Sequence, residues 1–141
     1  MNQKKDSTWN YYNEDDGSLA SEEFYEGAQR EGEWKTYYPS GQVMEITNYV
    51  DDVKQGPWKQ FFSDGKIKSE GTYVDGKLEG LYVIHYLKGN VEISGTYHND
   101  QKDGTWVYLS ETGELQKKEI YRNGALIKKE EKTPVETSPG Q

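Results

Sequence analysis

A 24-residue repeat runs through most of this chain and limits the folds that it can adopt. Glycine, a large aromatic residue, a second glycine and a tyrosine recur in the same phase in successive copies. The four series are Gly32, Gly56, Gly80 and Gly104; Trp34, Trp58, Tyr82 and Trp106; Gly41, Gly65, Gly89 and Gly113; and Tyr25, Tyr49, Tyr73, Tyr97 and Tyr121. This regularity indicates about five copies of one structural unit, the first of them degenerate.

Each repeat contains two turn signals, such as "SDGK" at residues 63–66 and "VDGK" at residues 74–77. Asp-Gly and Asn-Gly pairs supply the positive φ angles that tight hairpin turns need. The segments between turns have about six to eight residues and are rich in the aromatic and β-branched types that strands favour. The sequence therefore predicts one β-hairpin per repeat. The whole chain is predicted to be all-β, an elongated single-layer antiparallel meander.

Alternation along the strands assigns side chains to two faces. One face, which we call the ladder face, receives the aromatic series Trp34, Trp58, Tyr82 and Trp106. Alternation also places Ile67 and Val91 on this face. Gly71 and Gly95 would leave gaps there, and we expect Trp58 and Trp106, or the rings beside them, to cover these glycines.

The opposite face receives a second series, one residue per repeat, which we call the outer stripe. It comprises Tyr37, Phe61, His85 and Leu109, with Lys35 and Lys59 beside it at one end. An exposed apolar stripe of this kind marks a contact site, so these six residues are the predicted partner-binding residues. Two alternatives are that the sheet curls over the stripe, or that the stripe packs over lysine stems.

The charge of the chain argues against two classes of partner. With 25 carboxylates against 17 Lys and Arg, the net charge is −8, so duplex nucleic acid and anionic membranes are repelled overall. Carboxylates in the turns form an acidic rim, which is either solvated or faces a basic partner. The rim residues are Asp51, Asp52, Asp75, Glu79, Asp100 and Asp103.

Neither a catalytic nor a metal-binding constellation is visible. His85 and His98 are the only histidines, they are not spaced as paired ligands, and the chain has no cysteine. The paired carboxylates fall in predicted turns or on exposed strand positions, where water would keep them ionised. We therefore predict no enzyme, no metal and no cofactor.

The periodicity divides the chain into three parts. We predict a flexible segment at residues 1–8, a repeat domain at 9–127 and a charged, disordered tail at 128–141. Repeat boundaries fall near 31/32, 55/56, 79/80 and 103/104. Charges in "NQKKD" (2–6) and "KKEEK" (128–132) are expected to protect the two open sheet edges. The polar start suits either a cytoplasmic protein or a cell-envelope lipoprotein from which the signal segment and anchoring cysteine were removed.

Residues 73–97 resemble a MORN repeat, with the pattern Y-x-x-G-x-x-x-G at Tyr73, Gly76 and Gly80. The segment W-x-x-Y-Y-x-x-G at residues 34–41 is similar to the bacterial variant of that repeat. The resemblance covers residues 9–127, with departures at Asp52 and Asp100, where glycine is usual, and at Tyr82, where tryptophan is usual.

The resemblance implies a twisted single-layer sheet that serves as a protein-binding or membrane-associated scaffold without shared catalytic residues. Proteins with the bacterial variant are often described as antitoxin- or immunity-like. We therefore expect a non-catalytic scaffold that binds another protein, including neutralisation of a toxin. The alternative is a structural lipoprotein of the bacterial envelope.

Overall fold

The chain forms one open antiparallel sheet. The structure is a computed structural model that describes residues 6–132; most of the predicted N-terminal segment and C-terminal tail lies outside that range. The strands are β1 Asp6–Tyr12, β2 Leu19–Glu26, β3 Gln29–Arg30, β4 Gly32–Tyr37, β5 Val43–Val50, β6 Val53–Lys54, β7 Gly56–Phe61, β8 Ile67–Val74, β9 Lys77–Leu78, β10 Gly80–His85, β11 Val91–His98, β12 Gln101–Leu109, β13 Leu115–Arg122 and β14 Ala125–Glu131. No helix occurs among the described residues, so the predicted all-β meander is confirmed.

The strands follow one another across the sheet in chain order, from β1 at one edge to β14 at the other. The two-residue strands β3, β6 and β9 pair with the strand before them, and each leads into the next long strand after one residue. A glycine with positive φ follows each interruption, for example Gly56 at +96° and Gly80 at +85°. Such a backbone favours glycine and bends the strand, which explains the first glycine of every repeat.

The sheet extends beyond both predicted boundaries of the repeat domain. β1 begins at Asp6 rather than near residue 9, and β14 continues through residues 128–131, which were expected to be disordered. Lys128 lies 3.0 Å from Glu130, and Lys129 lies 2.7 Å from Glu131. Residues two apart share a face of a strand, so the alternating charges of this segment pair with one another along β14.

The core is a line of aromatic rings on the ladder face. Trp106 is 2% exposed and Trp58 is 9% exposed, whereas Trp34 is half-buried. Ring centroids lie 5.1 Å apart between Trp34 and Tyr49, 5.9 Å between Trp58 and Tyr82, and 6.2 Å between Tyr82 and Trp106. The last two contacts connect successive repeats, whereas Trp34 and Tyr49 belong to the same repeat.

Each ladder ring lies back over the strand that precedes its own. A Cβ added at Gly95 would overlap the indole of Trp106, as expected, but a Cβ at Gly71 would lie 2.9 Å from the ring of Tyr82. Trp58 instead reaches β5, where its indole N–H donates to Glu45 at 3.0 Å. The assignment of Trp58 to Gly71 was therefore wrong; the ring over Gly71 is that of Tyr82, from the following repeat.

Candidate functional site

The outer stripe lies where each first strand of a repeat ends. Tyr37, Phe61, His85 and Leu109 are the last residues of β4, β7, β10 and β12. Each lies at a register shift and pairs with the first residue of the following strand; the pairs are Tyr37–Val43, Phe61–Ile67, His85–Val91 and Leu109–Leu115. The stripe is thus a row of four equivalent bulges.

These bulges interrupt the side-chain alternation on which the face assignment depended. Gln60 pairs with Ser69, but the next residue, Phe61, pairs with Ile67, so one residue of β8 is left over. Because residues directly opposite each other share a face, Ile67 and Val91 lie beside the outer stripe. Their predicted place on the ladder face was wrong. Successive stripe residues are two strands apart, or roughly 10 Å.

The four stripe residues are half-buried. The sheet therefore does not cover them completely, and part of each side chain is accessible to solvent. Exposed apolar side chains continue the surface near the turns, at Leu87 (58% exposed) and Leu115 (42%). Val83, two residues before His85 on β10, is only 7% exposed. Leu81, at the other end of β10, is 62% exposed, so accessible apolar surface occurs at both ends of that strand.

The lysines beside the stripe have acidic neighbours. Lys35 and Lys59 are half-buried on β4 and β7. The ammonium group of Lys35 lies 3.4 Å from a carboxylate oxygen of Glu33, and Lys59 is directly opposite Glu70 in the register of β7 and β8. The positive charge at this end of the stripe is therefore partly compensated.

Tyrosine hydroxyls fix the backbone of the stripe from the preceding repeat. Tyr38 donates to the carbonyl of Phe61, and Tyr86 donates to the carbonyl of Leu109, each at 2.7 Å. Phe62 takes the corresponding place in the repeat between them and has no hydroxyl. Sequence reasoning missed this link, although the recurring second aromatic residue before the turn was its signal.

Neither histidine is placed as part of a metal site. Nδ1 of His85 lies 3.1 Å from the carbonyl oxygen of Gly89, and Nδ1 of His98 lies 2.7 Å from Glu79. Over residues 6–132, no group of three or more His, Cys, Asp or Glu side chains could hold a metal ion.

The carboxylates of the acidic rim join neighbouring repeats. Asp52 accepts the backbone N–H of Arg30 at 2.8 Å, and Asp100 accepts that of Leu78 at 2.7 Å. The N–H of Arg30, followed by its guanidinium group, lowers the pKa of Asp52. Both aspartates have positive φ, at +69° and +67°, so the turn is kept where glycine is absent.

One carboxylate is buried on the ladder face. Glu119 is 7% exposed and accepts a hydrogen bond from the hydroxyl of Tyr121 at 3.1 Å. The hydroxyl of Tyr108, the larger influence, and that of Tyr121 lower the pKa of Glu119, with help from Lys117. Burial, followed by the nearby carboxylate, raises the pKa of Tyr108. This cluster is structural, since its polar groups satisfy one another.

The geometry defines an open β-hairpin repeat protein with an aromatic core on one face and a row of equivalent bulges on the other. Residues 30–51 and 54–75 match the family model for the MORN repeat variant. These two segments therefore match the MORN repeat variant, which confirms the resemblance seen in the sequence.

The other comparisons add little. The search of curated proteins finds no match to this chain. A crystal structure of a protein with unknown function from Bacteroides fragilis NCTC 9343 is similar over 94% of each chain, at 12% identity and a TM-score of 0.20. MORN repeats are generally scaffolds for interactions with proteins or membranes and are typically non-catalytic. The described residues include no helix long and apolar enough to span a membrane.

Proposed function

We propose that this protein is a non-catalytic scaffold that binds another protein through the outer stripe. The observation that carries the proposal is the recurrence of Tyr37, Phe61, His85 and Leu109 at four equivalent bulges on the face opposite the aromatic core. A repeated, half-buried row of this kind offers a partner the same contact at regular spacing. Partly exposed apolar side chains in a continuous row favour protein contact.

The rigidity of the stripe supports the same proposal. The hydroxyls of Tyr38 and Tyr86 hold the carbonyls of Phe61 and Leu109, so two of the four bulges are tied to the preceding repeat. A surface already ordered in the free protein loses less conformational freedom on binding. Lys35 and Lys59 lie at one end of the stripe, and we expect the part of their charge that Glu33 and Glu70 leave uncompensated to favour acidic groups of the partner.

The first test compares the binding of a partner by wild type and by Phe61→Asp. The partner is co-purified with the full chain from its native host, identified, and titrated by calorimetry. Placing a carboxylate in the centre of the stripe is expected to weaken binding at least about tenfold, the size of effect seen at interface hot spots. Leu126→Asp, on the distant strand β14, is the matched control and should bind like wild type.

Circular dichroism and urea titration of both variants establish that they are folded. Lys59→Glu serves as a second, milder variant and should also weaken binding. A folded Phe61→Asp protein with wild-type affinity would remove the stripe as the binding site.

We extend the proposal to neutralisation of a toxin, because covering a toxin surface requires no catalytic group. A gene for a toxic protein beside this one would support that extension. Co-expression with that toxin should restore growth with the wild-type chain and with Leu126→Asp, but not with Phe61→Asp. Equal protection by all three proteins would contradict it.

A further inference from the structure

The two open edges of the sheet are protected to very different degrees. At β14, Lys128 pairs with Glu130 and Lys129 with Glu131, and Lys132 lies 2.7 Å from Glu114. Charged side chains on an edge strand oppose its pairing with another chain. At β1, whose sequence is DSTWNYY, Asp6 is the only charged residue. One edge is therefore guarded by charge, and the other carries almost none within its strand.

The β1 edge, whose preceding lysines Lys4 and Lys5 lie outside the described residues, also exposes aromatic rings. Trp9 is 55% exposed, Tyr11 is 47% exposed and Tyr12 is 61% exposed, whereas Trp106 in the interior is 2% exposed. Trp9 and Tyr11 lie opposite Glu23 and Ser21 of β2, on the ladder face. With Tyr25, Gly27 and Ala28 they line an open depression of about 240 Å³. β1 thus belongs to the ladder, and within residues 6–132 no strand pairs with its outer side.

The surroundings of β1 are strongly acidic. Residues 1–29 contain seven carboxylates and two lysines, Lys4 and Lys5, which precede β1 in the sequence; the whole chain has 25 carboxylates and 17 Lys and Arg. The seven carboxylates are Asp6, Glu14, Asp15, Asp16, Glu22, Glu23 and Glu26. Glu14, Asp15 and Asp16 are exposed in the turn after β1, and Glu26 lies opposite Asp6 at the other end of the strand. Carboxylates therefore dominate in the turn after β1, whereas at the start of the strand Asp6 and Glu26 are accompanied in the sequence by Lys4 and Lys5.

This distribution of charge indicates which kind of strand could pair with β1. A second copy that paired through its own β1 would bring two such acidic hairpins together, and like charges oppose that contact. A strand with Lys or Arg at each end would place its cations beside the carboxylates. Arginine or apolar side chains in its centre could contact the exposed faces of Trp9 and Tyr11.

We propose that β1 is a docking edge for an extended, Lys/Arg-flanked segment of another protein, which adds a strand to the sheet. Main-chain hydrogen bonds to β1 hold the segment, as in other cases of strand addition, and the carboxylates set its preference for cations. This site lies on the edge of the sheet at the first repeat and is separate from the outer stripe, so it does not depend on the function proposed for that stripe.

The test uses a ten-residue peptide with two arginines at each end of Thr-Val-Thr-Val-Thr-Val, titrated into the full chain by calorimetry. We expect binding that weakens at least about tenfold between low and high salt, because the attraction is screened. Hydrogen exchange should show new protection of β1 amides. One control peptide carries glutamate in place of every arginine. A second control carries N-methyl groups on alternate backbone amides and is made in both possible registers. Neither kind of control should bind as tightly as the arginine peptide.

The variant that tests the site is Trp9→Lys/Tyr11→Lys, with Leu126→Lys on β14 as the matched control. The double variant should lose at least about tenfold in affinity, whereas Leu126→Lys and Phe61→Asp should bind like wild type. Hydrogen exchange at β13 establishes that the double variant is folded. Undiminished binding by that folded variant, equal binding of the N-methylated peptide, or a dimer of the free chain joined through β1 would each overturn the proposal.

Discussion

The indole of Trp106 occupies the space that a side chain at position 95 would need, and the ring of Tyr82 does the same at position 71 with more room. Neither Gly71 nor Gly95 has a positive φ, so these glycines are required by the neighbouring ring rather than by their backbone. At this scale the fold depends on pairs of residues, one without a side chain and one with a large flat ring that covers it.

Gly95→Ala is expected to destabilise the protein by about 1–3 kcal/mol, because the indole of Trp106 must shift to admit the methyl group. Gly71→Ala, the matched change, should cost less, since its methyl group would lie 2.9 Å from the ring of Tyr82. Urea titration of both variants measures the difference. A Gly95→Ala protein as stable as wild type would show that Trp106 does not cover Gly95.

Glu119 is expected to make stability depend on pH in the acidic range. The pKa of Glu119 is lower in the folded chain than its usual value. Ionised Glu119 therefore makes its whole contribution to the free energy of unfolding at pH values above the pKa of the unfolded chain. That contribution is lost as the pH falls through the folded pKa. Glu119→Gln should therefore flatten the decline of stability below about pH 5, the range in which carboxylates begin to protonate. Glu14→Gln, an exposed control, should leave the decline nearly unchanged; parallel curves for wild type and Glu119→Gln would contradict the assignment.

The hairpin is the element that the repeat encodes, and its second turn is bonded to the repeat before it. The backbone N–H groups of Asp52, Gly76, Asp100 and Gly124 donate to the carbonyls of Arg30, Lys54, Leu78 and Lys102, at 2.9–3.0 Å. Where aspartate replaces glycine, its carboxylate also accepts a hydrogen bond from the backbone N–H of the same partner residue. The side chain thereby offsets the strain of a positive φ.

Asp100→Ala should destabilise the protein by about 1–2 kcal/mol, because it keeps a side chain at positive φ and removes the bond to the N–H of Leu78. Asp100→Gly should lie closer to wild type, since glycine relieves the backbone strain while losing the same bond. Thermal and urea unfolding of wild type, Asp100→Gly and Asp100→Ala measure the order of their stabilities. A Gly variant less stable than the Ala variant would contradict this account of the turn.

The sequence predicted the hairpins and the ladder because each depends on local turn chemistry and on alternation within one strand. It placed Ile67 and Val91 on the wrong face because a bulge changes the register by one residue, and no residue type marks that shift. It ended the repeat domain before residue 128 because the ion pairs of β14 form only once the strand exists. The bond from Tyr38 to Phe61 crosses between repeats, so single-strand patterns did not indicate it.

On the scale of the whole molecule, the chain is a series of hairpins that contact their neighbours in order along the sheet. One face holds the aromatic core, the other holds the outer stripe, and the two edges differ in charge. A single hairpin is marginally stable by itself, so stability arises from coupling between adjacent repeats. Binding surfaces of such a molecule can lie along its length or at its ends, where the stripe and β1 are found.

The urea unfolding of Trp106→Ala, with Trp9→Ala as its control, tests most directly whether the aromatic ladder holds the repeats together. Trp106 is 2% exposed and Trp9 is 55% exposed, although both belong to the ladder face. We predict that Trp106→Ala lowers the free energy of unfolding by about 3–5 kcal/mol and Trp9→Ala by less than about 1 kcal/mol. A loss below about 1 kcal/mol for Trp106→Ala would contradict it.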